Sequence, residues 1–129
     1  MAGPTPEQLA APGTEAAHQT ALMCWAALQT HRWPELEYLA HVPNGGTRNK
    51  VEAGFLKAQG VRKGVPDMIL PVGRWGKYGL WIEMKVGNNR PSPDQRKWID
   101  FLIKSGYAVV VCYSWVQASE YIIRYLEEI

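Results

Sequence analysis

The stretch 64–86, GVPDMILPVGRWGKYGLWIEMKV, constrains what this chain can fold into more than any other. Two short apolar runs, DMIL at 67–70 and GLWI at 79–82, are separated by Gly73, Gly76 and Lys77. That pattern predicts two adjacent strands with a turn between them. The first run begins on a carboxylate, Asp67, and the second ends on Glu83-Met84-Lys85. In an antiparallel hairpin the start of one strand lies beside the end of the next, so Asp67 and Glu83 are brought together. Glu83 and Lys85 are two apart in a strand and therefore share a face. Carboxylates placed that close repel unless a cation joins them, and hard oxygen ligands suit Mg²⁺ or Mn²⁺.

The 129 residues suffice for one domain with its own core, expected over residues 14–129 behind a flexible or loosely packed arm at 1–13. A hydrophobic content of 47% and six tryptophans argue for a folded chain over disorder. No apolar run reaches the length of a membrane span, and the first residues do not form a signal peptide. Cys24 and Cys112 lack metal-site spacing and read as reduced, buried thiols of a cytosolic chain. The net charge of +2 says little, but its distribution says more. Residues 44–97 hold eleven Lys and Arg against four acids, whereas both ends are acidic. A basic middle fits a phosphate-binding face, although an unevenly charged solvated surface would look the same.

Around the hairpin, hydrophobic spacing predicts a helix over 15–30 capped by Thr14, with Glu15, Gln19, Leu22, Met23 and Ala26 on one face. A short strand is expected over 36–42, followed by a Gly-rich turn at 43–47. Its backbone amides could approach a phosphate, with Asn44 and Arg48 as side-chain donors, or it could be a plain turn. Residues 48–59 read as a helix with Val51, Phe55 and Ala58 inward and Gly60 as its stop. Arg62 and Lys63 flank the approach to Asp67, and Arg90 stands in the loop after the hairpin, so these three also read as phosphate contacts. Ser92, Pro93 and Gln95 mark a helix start, a buried strand follows at 107–113, and Ser114 caps a last helix to 129. Ala118, Ile122 and Tyr125 are expected to face the core. The order implies an α/β fold with a small mixed sheet flanked by helices.

Read in order, Pro43-Asn44-Gly45-Gly46-x-Arg48, Gly60-Val61-x-x-Gly64-x-Pro66-Asp67, Glu83-Met84-Lys85 and Gln95-x-x-Trp98 followed by Gly106 resemble the virus-type replication-repair nuclease (VRR-NUC) domain. The pair Pro66-Asp67 and Glu83-x-Lys85 is similar to the PD-(D/E)xK nuclease signature, and the likeness runs from about residue 15 to about 122. It implies a restriction-endonuclease-like core and metal-dependent hydrolysis of DNA to 5′-phosphate and 3′-hydroxyl products. Asp67 and Glu83, with the Met84 backbone carbonyl, would hold Mg²⁺ or Mn²⁺, and Lys85 would orient or deprotonate the attacking water. The resemblance adds Glu15 to the acidic cluster as a possible metal ligand, though Glu15 could simply favour the positive end of its helix. It likewise sets Gln95 beside Lys85 as a catalytic residue, while the capping box offers Gln95 another role. Trp75, in the hairpin turn, is the tryptophan placed to stack on a base or touch a partner chain.

Small stand-alone members resemble Holliday-junction resolvases of phage or mobile elements, and symmetric cutting would need a homodimer because one chain offers one centre. The alternatives are a monomeric flap or nicking nuclease, and a non-catalytic DNA-binding module of a replication complex.

Overall fold

The hairpin forms where the apolar runs place it. The computed structural model describes residues 3–44 and 49–127. Strands β2 (Met68–Leu70) and β3 (Leu80–Met84) pair antiparallel, with Met68 opposite Ile82 and Leu70 opposite Leu80. The turn between them closes through the Lys77 amide, which donates to the Arg74 carbonyl at 2.8 Å. Its two central residues, Trp75 and Gly76, both have positive φ, the geometry that matches the twist of a tight hairpin. For tryptophan that backbone costs about 1–2 kcal/mol. The indole Nε1 donates to the Tyr125 carbonyl at 3.1 Å, so a tertiary contact offsets the local cost.

Two further strands complete a four-stranded sheet in the order β1-β2-β3-β4. Strand β1 (Ala40–His41) pairs antiparallel with β2, and β4 (Ala108–Cys112) runs parallel to β3 with Glu83 beside Val111 and Met84 beside Cys112. A parallel neighbour requires a crossover, which α4 (Pro93–Lys104) supplies. Ser92 accepts from the Gln95 amide, Gln95 reaches back to the Ser92 amide, and Pro93 sits at the first position, so the predicted cap forms in full.

Helices α2 (Glu15–Leu28) and α5 (Trp115–Leu126) cover the sheet. Leu22 and Ala26 of α2, Met68, Leu70, Leu80, Ile82 and Met84 of the hairpin, and Ala118, Ile122 and Tyr125 of α5 form one buried core. Burying each large aliphatic side chain contributes about 1.5–3 kcal/mol. The Tyr125 hydroxyl ends in the core by donating to the Val72 carbonyl at 2.6 Å. Among the described residues no helix is long and apolar enough to cross a membrane.

The structure departs from sequence expectation in several places. The run at 36–42 is mostly not a strand: Pro34–Tyr38 is a 3-10 helix, and only Ala40–His41 pairs with the sheet. Pro34 fixes φ for a helical start, and Leu36 and Leu39 reach the core from that turn three residues apart. The arm at 1–13 contains a helix, α1 (Pro6–Ala10), closed by a capping box between Thr5 and Gln8 and packed on α2. It is too short to show a hydrophobic period. Helix α3 (Lys50–Ala58) forms under an Asn49 cap but buries none of its residues. Val51, Phe55 and Ala58, expected inward, are exposed, because no described element packs closely over them. Cys24 is half-buried, and β4 is fully buried only at Cys112. Residues 45–47 of the Gly-rich turn, together with Arg48, lie outside the described residues.

Candidate active site

At the end of the hairpin where β2 begins and β3 ends, three of the candidate residues share one set of contacts. Asp67 directly precedes β2, and its Oδ2 accepts from the Met84 amide at 2.8 Å. This bond fastens the carboxylate across the hairpin, and it also satisfies a buried donor that would otherwise be costly. Glu83 lies one residue before Met84 on β3 and is almost completely buried, at 1% exposure. Its Oε2 accepts from Gln95 Nε2 at 2.9 Å and stands 3.6 Å from Lys85 Nζ.

Burial raises the Glu83 pKa, and the neighbouring Asp67 charge pushes the same way. The Lys85 ammonium pulls against both, yet the carboxyl still ends at about 8. A carboxylate there is short of positive charge. Its Oε1 is buried with no hydrogen-bond partner among the described residues, an unusual condition for a native polar atom. An orphaned carboxylate oxygen beside a second carboxylate is a donor set suited to a hard divalent cation. Asp67 and Glu83 supply oxygens of that kind.

Glu15, at the start of α2, lies on the lysine side of this cluster. Its Oε1 is 3.9 Å from Lys85 Nζ, and Asn89 Nδ2 donates to its Oε2 at 3.3 Å. Among the described residues, no group of three or more His, Cys, Asp or Glu is placed to hold a metal. Glu15 therefore joins the site through Lys85, whose ammonium is held between two carboxylates and is itself buried.

Gln95 closes the predicted cap, and the same side chain reaches the site through Glu83. Its Oε1 accepts from the Ser92 amide to close the cap, and its Nε2 donates to Glu83. Asn44 also reaches the site, its Nδ2 donating to Asp67 Oδ1 at 3.4 Å. Arg62 and Arg90 are exposed, and Lys63 forms an exposed pair with Asp94 at 3.5 Å. Trp75 is at the far end of the hairpin, against α5, away from these groups.

Two contributors escaped sequence reasoning. Asn89 sits in a GNN loop that carries no positional signal. His41 Nδ1 donates to the Asp67 carbonyl at 2.8 Å, holding the backbone that carries the carboxylate. Its register opposite Met68 depends on β1 pairing, which the 3-10 turn conceals at sequence level. The approach is shaped by Gly64, at φ +92°, where a Cβ would stand 2.7 Å from the Asp94 backbone. Only glycine lets that loop lie against the start of α4.

The model of the VRR-NUC domain matches residues 13–115. A solved structure described as a VRR_NUC domain protein superposes with a TM-score of 0.74 at 33% identity, over 88% of each chain. No curated protein matches.

Proposed function

Because the chain belongs to the VRR-NUC family, and so to the nucleases of the PD-(D/E)xK superfamily, we propose that it is a Mg²⁺- or Mn²⁺-dependent, structure-specific endonuclease acting on branched DNA. The observation that carries the reading is the buried Glu83 carboxylate, orphaned at Oε1 and set beside Asp67.

A divalent ion, when bound, supplies charge neutralisation at the scissile phosphate and makes a neighbouring water more acidic. The chain's own groups do the rest. Gln95 fixes one oxygen of Glu83 and leaves the other free for the ion. The Met84 amide fixes Asp67 in the same manner. Lys85, steered by Glu15 and Glu83, offers an ammonium that can orient the attacking water and stabilise negative charge on the phosphoryl oxygens. Attack is in line and leaves a 5′-phosphate and a 3′-hydroxyl. Asn44, Arg62, Lys63 and Arg90 contact the backbone phosphates.

Paired cutting of a four-way junction requires two such centres and hence a two-fold dimer, as in a Holliday-junction resolvase. A flap requires one centre. The groove between α3 and α4, lined by cations and aromatic rings, supports the flap reading.

Incubating plasmid, flap and four-way-junction DNA with Mg²⁺ or Mn²⁺ tests the proposal. Wild type should cut a branched substrate, and Asp67→Asn and Lys85→Ala should not. Equal cutting by both variants means that the chemistry lies elsewhere. Binding without cutting in either metal would instead favour a non-catalytic DNA-binding module.

A further inference from the structure

Beside the site, an open groove of about 800 Å³ runs between α3 and α4. Trp98 and Phe101 of α4 supply aromatic faces, and Phe101 is 63% exposed. Lys57, Arg62, Lys63 and Lys97 line the same groove. Asp94 is the only acid among its described lining residues, and Lys63 already pairs with it. Helix α3 buries nothing, so its inner side is open to an occupant.

We propose that this groove holds an unpaired DNA strand leaving the branch, which makes it a specificity surface for DNA with a single-stranded arm. The inference rests on the nuclease reading above. Exposed aromatic rings interleaved with cations are what single strands require: bases stack on the rings, and phosphates follow the charges. A base-paired duplex keeps its bases inside and would use only the cations. The position agrees with this role. Asp94 of the groove is followed in sequence by Gln95 of the site, and Lys63 lies four residues before Asp67. A strand in the groove would thus lie against the segments that carry Gln95 and Asp67. A second copy of the chain is a poor occupant. A two-fold contact presents the same patch to itself, and here that would set lysines and arginines against their own kind.

The test measures binding in the absence of divalent ions, so it does not depend on catalysis. Fluorescence anisotropy would compare a duplex bearing a single-stranded arm with a blunt duplex of equal paired length. Wild type should prefer the armed duplex by about ten-fold, the scale of one or two stacked bases. Phe101→Ala, an exposed position whose loss leaves the core intact, should remove most of that preference. The double variant Lys57→Glu, Lys97→Glu should reduce it as well and flatten its salt dependence.

Three results overturn the proposal. In the first, wild type shows no preference; in the second, the preference survives both variants. The third is a wild-type dimer in sedimentation that Phe101→Ala dissociates with equal loss on both DNAs, which would make the face a self-association surface. Arm preference without cleavage in either metal keeps the groove and removes the nuclease reading; cleavage without arm preference does the reverse.

Discussion

Gln95 donates to Glu83 at 2.9 Å while its other amide atom closes the cap of its own helix. One side chain thus links the start of the crossover helix to the most deeply buried acid of the site. Function and stability should separate on substitution. Gln95→Glu keeps an acceptor for the Ser92 amide but removes the donor to Glu83. It should melt close to wild type and cut at least ten-fold more slowly. Gln95→Ala loses both bonds and should also lose about 1 kcal/mol of stability. Thermal melts alongside cleavage rates check both.

Glu83 makes stability depend on pH in a defined direction. Its folded pKa of about 8 lies above the ordinary 4.5, so between those values the folded chain keeps a proton that the unfolded chain has released. Stability without metal should therefore fall as pH rises through that window, with a contribution from this group of at most about 1.4 kcal/mol per pH unit. Above about pH 8 the contribution is constant. Urea unfolding in chelator at several pH values, wild type against Glu83→Gln, isolates the effect. The two curves should converge toward acid and separate toward alkali; parallel curves would show that Glu83 is not raised.

Metal and proton compete for the same carboxylate. Mg²⁺ or Mn²⁺ should raise the melting temperature of wild type, and more so at pH 8 than at pH 6. Asp67→Asn and Glu83→Gln should lose most of the increment. Differential scanning fluorimetry with and without a chelator reads this directly.

Asp67 has a structural duty apart from any ion. Its Oδ2 is the acceptor for the Met84 amide. Asp67→Ala leaves that donor unpaired in a buried strand and should cost about 1–3 kcal/mol. Asp67→Asn can still present an oxygen there, so it should fold nearly as well as wild type and remain inactive. Denaturant midpoints compared with cleavage distinguish the two.

The outline of fold and site could be read from the chain because short-range rules govern it. The hairpin follows from two apolar runs and a turn, and the cap at Ser92 from three agreeing residues. Once the hairpin forms, the strand register alone brings Asp67 against the Met84 amide beside Glu83. Other features were hidden because they depend on what lies opposite. The spacing of Val51 and Phe55 promises burial, yet burial requires a neighbour, and no described element packs closely enough on α3 to cover them. Leu36 and Leu39 fit a strand or a 3-10 turn equally well until the core selects one.

By itself, then, the sequence determined the strand pair, the helix caps and the identity of the acids, since these arise from neighbours along the chain. The tertiary structure alone decided that Glu83 would be buried with one oxygen unpaired, that Gln95 and Lys85 would both meet its other oxygen, and that Glu15 would hold the lysine. Those outcomes depend on desolvation and on angles between elements far apart in sequence, which no local pattern encodes.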